Sequence, residues 1–169
     1  HLEHRDDKHI LSYIIPSADI LVIAGDLCNI RKVSIDIIHD SLKILSLCYE
    51  RIYYVPGNHE YFNRLLMPDI KLELQKICSS FDNVIFLDNN IDEYNGYVFI
   101  GSILWSLPLE DEYTEILNRC NNKKQMTIRK GVKISIESMI HDFKSNLSWI
   151  EHEISKCDKK VVLITHYLP

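Results

Sequence analysis

The chain has 169 residues, 46% of them apolar and 25% charged, with a net charge of −5. Those totals allow one globular domain with a substantial core and exclude the general basic surface that draws in nucleic acid. They also exclude a transmembrane protein, since no apolar run approaches spanning length, and a disulfide framework or zinc knuckle, since Cys28, Cys48, Cys78, Cys120 and Cys157 stand singly with no C-x-x-C, as reduced thiols of a cytoplasmic protein do.

The chain does not begin with Met and shows no signal peptide. Residues 6–15 (DDKHILSYII) predict a short helix entered through acidic residues. Residues 20–24 (ILVIA) are a continuous apolar run, predicting a strand buried on both faces. Ile35, Ile38, Leu42 and Leu45 recur at helical spacing. Residues 52–55 predict a second buried strand. Pro68 at an early helical position opens another helix, with Ile70, Leu74 and Ile77 inward. Residues 84–87 (VIFL) predict a short strand. In "IDEYNGYVFIG", Asn95-Gly96 joins two strand-like runs as a hairpin. Residues 106–131 are polar and irregular. A long helix is expected over about 133–156, with Ile136, Met139, Ile140, Phe143, Leu147, Ile150 and Ile154 on one face. "KKVVLITH" closes the chain with a last buried strand.

Strands alternating with helices, then a hairpin, predict a layered α/β protein with mixed sheet, helices flanking it. No repeat or linker interrupts the chain, so 1–169 reads as a single domain, with a cap or insert over about 106–156.

Three of the apolar strands end alike. ILVIA runs into Gly25-Asp26, IYYV into Pro56-Gly57-Asn58-His59-Glu60, and VVLIT into His166. Ligands of open α/β sheets bind beyond the carboxyl ends of strands, so Asp26, Asn58, His59 and His166 are expected to meet on one rim. A carboxylate has two oxygens and can bridge two cations, while imidazole nitrogen and amide oxygen are further ligands. Two cations about 3.5–4 Å apart hold a water, lower its pKa and offset charge on a phosphoryl group. Each residue alone has a plainer role: Asp26 as a turn or helix cap, Asn58-His59 as turn residues, His166 as a structural histidine. Turns alone do not account for all of them at strand ends.

The pattern resembles the calcineurin-like metallophosphoesterase superfamily, whose blocks run D-x-H, G-D, G-N-H-(D/E), a strand-end His, and G-H-x-H. "AGDL" (24–27), "PGNHEYF" (56–62) and "LITHYLP" (163–169) are similar to the second, third and fourth, and "FIGSILWS" (99–106) resembles a Gly-x-x-Leu-Trp segment of some bacterial-type members. "HLEHRDD" is similar to the tail of the first block, with the Asp two positions before His1 absent, and no G-H-x-H precedes Pro169. On that reading the fold is an αββα sandwich, incomplete at both ends, and the chain is a fragment that binds metal weakly.

The resemblance implies a dinuclear centre of two divalent ions, manganese, iron or zinc. Asp26 would bridge them, Asn58 and His166 would bind the second, and His1 the first. The implied catalytic candidates are His59, protonating the leaving oxygen, and Glu60, orienting His59 by a carboxylate hydrogen bond. The implied activity is hydrolysis of phosphomonoesters or phosphodiesters through a metal-bridging hydroxide in the parent protein, with these 169 residues alone expected to be nearly inactive. The alternative is a non-catalytic scaffold of the same fold, against which the retention of His59 and Glu60 beside a ligand argues. His4 and His9 lie near His1, with His9 read as a surface residue. His39, His141 and His152 fall within helices. Lys123, Lys124, Arg129 and Lys130 read either as a phosphate-binding cap or as a solvated loop.

Overall fold

A computed structural model describes residues 2, 10–30, 35–62, 66–106 and 126–168. Strands β1 (Ile20–Ala24), β2 (Arg51–Val55) and β3 (Val84–Phe86) form a parallel sheet in the order β1-β2-β3. Strands β4 (Asn90–Tyr94) and β5 (Tyr97–Ser102) are the antiparallel hairpin expected at Asn95-Gly96, where both turn residues take positive φ. β5 pairs in parallel with β8 (Lys160–Thr165), giving a second, mixed sheet in the order β4-β5-β8.

Alternation along β2 sets the layers. Ile52 and Tyr54 join Ile38, Leu42 and Leu45 of helix α1 (Asp36–Ser46) and Ile70, Leu74 and Ile77 of helix α2 (Met67–Ser79) in one core. Tyr53 and Val55 point the other way and pack with Phe99 of β5 and Ile164 of β8. Rings of Tyr53 and Phe99 stack with centroids 4.1 Å apart. On β5, Val98 and Ile100 face away from Phe99 and join the core that holds Met139, Phe143 and Ile150 of helix α3 (Ile136–Ser155). The result is helix, sheet, sheet, helix, the layered α/β arrangement the sequence predicts. Burying each Ile, Leu or Val contributes about 1.5–3 kcal/mol, and all four residues Ile52 to Val55 are fully buried.

Polar side chains also join the sheets. Asp92 of β4 accepts from Arg51 Nη2 at 2.7 Å and from the Tyr53 hydroxyl at 2.8 Å, both on β2. Burial, then the hydrogen bond to Asp92, holds the Tyr53 hydroxyl well above the ordinary tyrosine range.

Several expectations need correction. β1 is not buried on both faces: Val22 is 42% exposed and Ala24 is exposed. β8 is likewise half-buried, with Leu163 38% exposed. Among the described residues each has a single strand neighbour in its sheet, which leaves its apolar run at the edge of the described sheet. The 106–131 region ends in a small hairpin, β6 (Thr127–Arg129) pairing with β7 (Val132–Lys133) just beyond it. Residues 107–125, within the expected cap, lie outside the described residues. The expected N-terminal helix is described only as a 3-10 turn at Ile10–Ser12. α3 begins three residues later than expected because Ser135 caps it: its Oγ accepts the Ser138 N–H at 3.1 Å, and Ser138 Oγ accepts the Ser135 N–H at 2.9 Å. Ile154 on its last turn is exposed.

Candidate metal and phosphate site

The carboxyl ends of β1, β2 and β8 meet at one rim. β1 delivers Asp26 through Gly25, whose φ is +84°, and Asp26 itself sits at φ +57°. β2 delivers Asn58 and a 3-10 turn, His59–Tyr61. β8 delivers His166. Close approach explains both glycines. A methyl group on Gly25 would collide with Nδ1 of His166 and Cα of Gly57, and one on Gly57 would collide with the Asp26 carboxylate and the His166 ring.

The described side chains converge as expected. His166 Nε2 lies 3.0 Å from Asn58 Oδ1 and 3.6 Å from Asp26 Oδ1. His166 Nδ1 is 2.8 Å from the Ala24 carbonyl oxygen. A carbonyl only accepts, so Nδ1 donates to Ala24 and turns Nε2 toward Asn58 and Asp26, the arrangement that orients metal-binding histidines. Two oxygens thus lie within 3.6 Å of one imidazole nitrogen. Ligand–cation distances of about 2.1 Å place ligating atoms roughly 3.0 Å apart at a right angle and roughly 3.4 Å apart at a tetrahedral angle. The spacings here suit one small divalent cation. Among the described residues no group of three or more His, Cys, Asp and Glu side chains is arranged to hold a metal; the set at the rim is a carboxylate, an imidazole and an amide.

His59 stands on the other side of the Asp26 carboxylate, its Nε2 3.9 Å from Oδ2. Its side chain is 28% exposed, and its ring rests on Phe62 with centroids 4.4 Å apart. Its backbone N–H donates to Asp26 Oδ1 at 2.9 Å.

Glu60 departs from expectation. It is fully buried, and its hydrogen bonds run to the backbone of the strand-end turns. Oε2 accepts from the N–H of Gly57 at 2.8 Å and of Asp26 at 3.0 Å; Oε1 accepts from Leu27 at 2.6 Å and, more weakly, from Cys28 at 3.4 Å. Successive side chains of a 3-10 turn diverge by about 120°, so His59 faces the rim while Glu60 enters the core. Burial, then the Asp26 charge, raises the Glu60 carboxyl pKa, and the N–H groups of Gly57 and Asp26 oppose that rise. Burial, then the Glu60 charge, holds the Tyr54 hydroxyl well above the ordinary tyrosine range.

Sequence reasoning missed the aromatic support. Tyr167 sets its ring edge-on to His166, with centroids 4.9 Å apart, and packs against Trp105 at 5.4 Å. Its N–H donates to the Ile103 carbonyl at 3.2 Å. The Ile-Leu-Trp run after β5 therefore buttresses the strand-end histidine, and an aromatic directly after His166 was the available signal.

Other candidates stay away from the rim or outside the described residues. His1, His4, His9, Lys123, Lys124 and Cys120 lie outside. His141 and His152 are exposed on α3, and His39 on α1 is beside Asp40 and Phe81. Arg129 and Lys130 are exposed on the β6–β7 hairpin. Among the described residues, Cys28, Cys48, Cys78 and Cys157 form no disulfide. Among the described residues, no helix is long and apolar enough to cross a membrane.

A family model, calcineurin-like phosphoesterase, matches residues 1–169. The uncharacterized protein L509 of Acanthamoeba polyphaga mimivirus is 31% identical over 157 residues, which are 88% of this chain and 55% of that protein. The crystal structure of phosphopantetheinyl hydrolase (PptH) from Mycobacterium tuberculosis is similar with a TM-score of 0.72 over 99% of this chain and 65% of its own, at 18% identity, a likeness of fold. The chain thus spans about half the length of the mimivirus relative and under two thirds of the hydrolase.

Proposed function

Because the chain belongs to the calcineurin-like phosphoesterase family, we propose that it hydrolyses phosphate esters at the rim of Asp26, Asn58, His59 and His166, with two divalent cations as cofactors. The observation that carries this reading is the approach of Asn58 Oδ1 and Asp26 Oδ1, at 3.0 Å and 3.6 Å, to His166 Nε2, from three strand ends. When bound, the cations supply Lewis acidity, drawing the pKa of a water toward about 7 and offsetting charge on the phosphoryl oxygens. Donors of this nitrogen–oxygen kind suit manganese, iron or zinc.

The residues divide the remaining work. Asn58 and His166 would hold one cation, and Asp26, whose second oxygen lies 3.9 Å from His59 Nε2, would be shared between that cation and the other. The Ala24 carbonyl keeps the His166 proton on Nδ1. His59 is the general acid: it stands at the open side of Asp26, braced by Phe62, where Nε2 reaches the leaving oxygen of a bound ester. A scaffold protein has no use for an imidazole held at that place. Phosphomonoesters and phosphodiesters are both within the proposed substrate class.

The test is hydrolysis of an activated aryl phosphomonoester and an aryl phosphodiester during titration with manganese, iron and zinc. The reading expects turnover of one ester that needs added metal and is lost in His166→Ala. Absence of metal-dependent turnover with every ester and metal would contradict it.

A further inference from the structure

We propose that Glu60 is a positioning residue for the cation-binding site, acting on the backbone of Asp26. Asp26 is a non-glycine residue in the left-handed region, directly after left-handed Gly25. Such a conformation is strained for a residue with a side chain and persists only where surroundings enforce it. Glu60 supplies the enforcement. Its two oxygens collect the N–H groups of Asp26, Leu27 and Cys28 on one turn and of Gly57 on the other. Consecutive N–H groups around one anion form the concave nest that loops otherwise present to phosphates; here the anion is built into the chain.

The clamp is reciprocal. Glu60 of the β2 turn holds backbone of the β1 turn, while the Asp26 carboxylate accepts the N–H of His59 on the β2 turn at 2.9 Å. Rotation of the Asp26 backbone would carry its Oδ1 away from Asn58 and His166. The adjacency of His59 and Glu60 in sequence therefore serves the metal side of the site through the main chain. Glutamine at position 60 cannot do the same work. It has one acceptor oxygen, and its NH2 would face N–H donors on the other side.

This inference rests on the proposed function only in taking Asp26 as a cation ligand. Its test reads amide exchange in the metal-free protein together with manganese affinity. In the wild type the amides of Asp26, Leu27 and Gly57 should exchange slowly, although they lie in turns; exchange at the rate of an open turn would overturn the anchoring. In Glu60→Gln those amides should exchange faster while Tyr53, Tyr54 and Val55 of β2 stay protected, and manganese affinity should fall 10–100-fold, the usual effect of losing a partner that orients a ligand. Unchanged affinity would overturn the positioning role. A purely structural role would instead loosen β2 and leave the folded fraction binding manganese normally. Should Glu60→Gln fail to fold, Glu60→Asp, which keeps the charge but retracts it by one methylene, is read by the same two measurements. Asp26→Asn separates the two ideas: if it binds manganese normally, the ligand assignment fails, and the exchange data alone decide the anchoring.

Discussion

The N–H of Asp26 donates into the carboxylate of Glu60, 34 positions further along the chain, at 3.0 Å. A group that faces the solvent rim is thereby fixed by one that is fully buried. Two strand ends that never pair as strands at that point are joined by side chain and backbone, so the rim's geometry is tied to the fold.

His59→Ala should lower kcat by about 10²–10⁴-fold, the usual contribution of a general acid, with metal content near normal, because His59 is not assigned as a ligand. Metal analysis beside kinetics on an activated aryl phosphate checks this. Loss of both metals together with activity would assign His59 a different role.

Asp26→Asn should deplete both cations, since an amide offers one good oxygen and no charge. In the metal-free form it should raise the melting temperature. The Asp26 charge opposes the buried Glu60 carboxylate, and an asparagine Oδ1 can still accept the His59 N–H. Metal stoichiometry and metal-free melts give the answer; normal stoichiometry would remove the bridging assignment.

Asp92→Ala should destabilise the fold by about 2–4 kcal/mol without changing metal affinity. It strips the partner from Arg51 and from the hydroxyl of buried Tyr53, and unpaired buried polar groups carry penalties of that order. Tyr53→Phe removes one hydrogen bond and should cost about 1 kcal/mol. Urea unfolding separates the two, and equal effects would show that Arg51 gains nothing from Asp92.

Burial, then the Asp88 charge, raises the Asp142 carboxyl pKa against the opposing influence of His141. The folded state holds this proton more tightly than the unfolded state does. Stability is therefore lost as pH rises from the ordinary aspartate value, about 4, through the raised one. Asp142→Asn should raise the melting temperature at pH 7, with the gain shrinking at pH 3.5, where the aspartate is protonated. The same shift at both pH values, or a drop at pH 7, would contradict this.

Local signals were legible where local physics decides. Asn95-Gly96 turned β4 into β5, Pro68 opened α2 in its first turn, and Ile38, Leu42 and Leu45 faced the core at their helical spacing. The rim residues were legible because apolar strands run into polar residues, through a glycine after β1 and β2 and directly after β8. Position within the sheet was not. Val22 and Leu163 sit in apolar runs like that of β2, yet among the described residues their strands lie at sheet edges. The β6–β7 hairpin was hidden because three and two residues, mostly polar, give no alternation to read. The partners of Glu60 were hidden for another reason: its acceptors are backbone amides 32 to 34 positions away, and backbone leaves no mark in a sequence.

The most direct measurement is an anomalous difference map from crystals of the protein grown with manganese. The account predicts a peak about 2.1 Å from Asp26 Oδ1, Asn58 Oδ1 and His166 Nε2, with Glu60 still holding the Asp26 backbone and a second peak at the His59 side of Asp26. Manganese bound elsewhere, or no peak at this rim under saturating manganese, would contradict it.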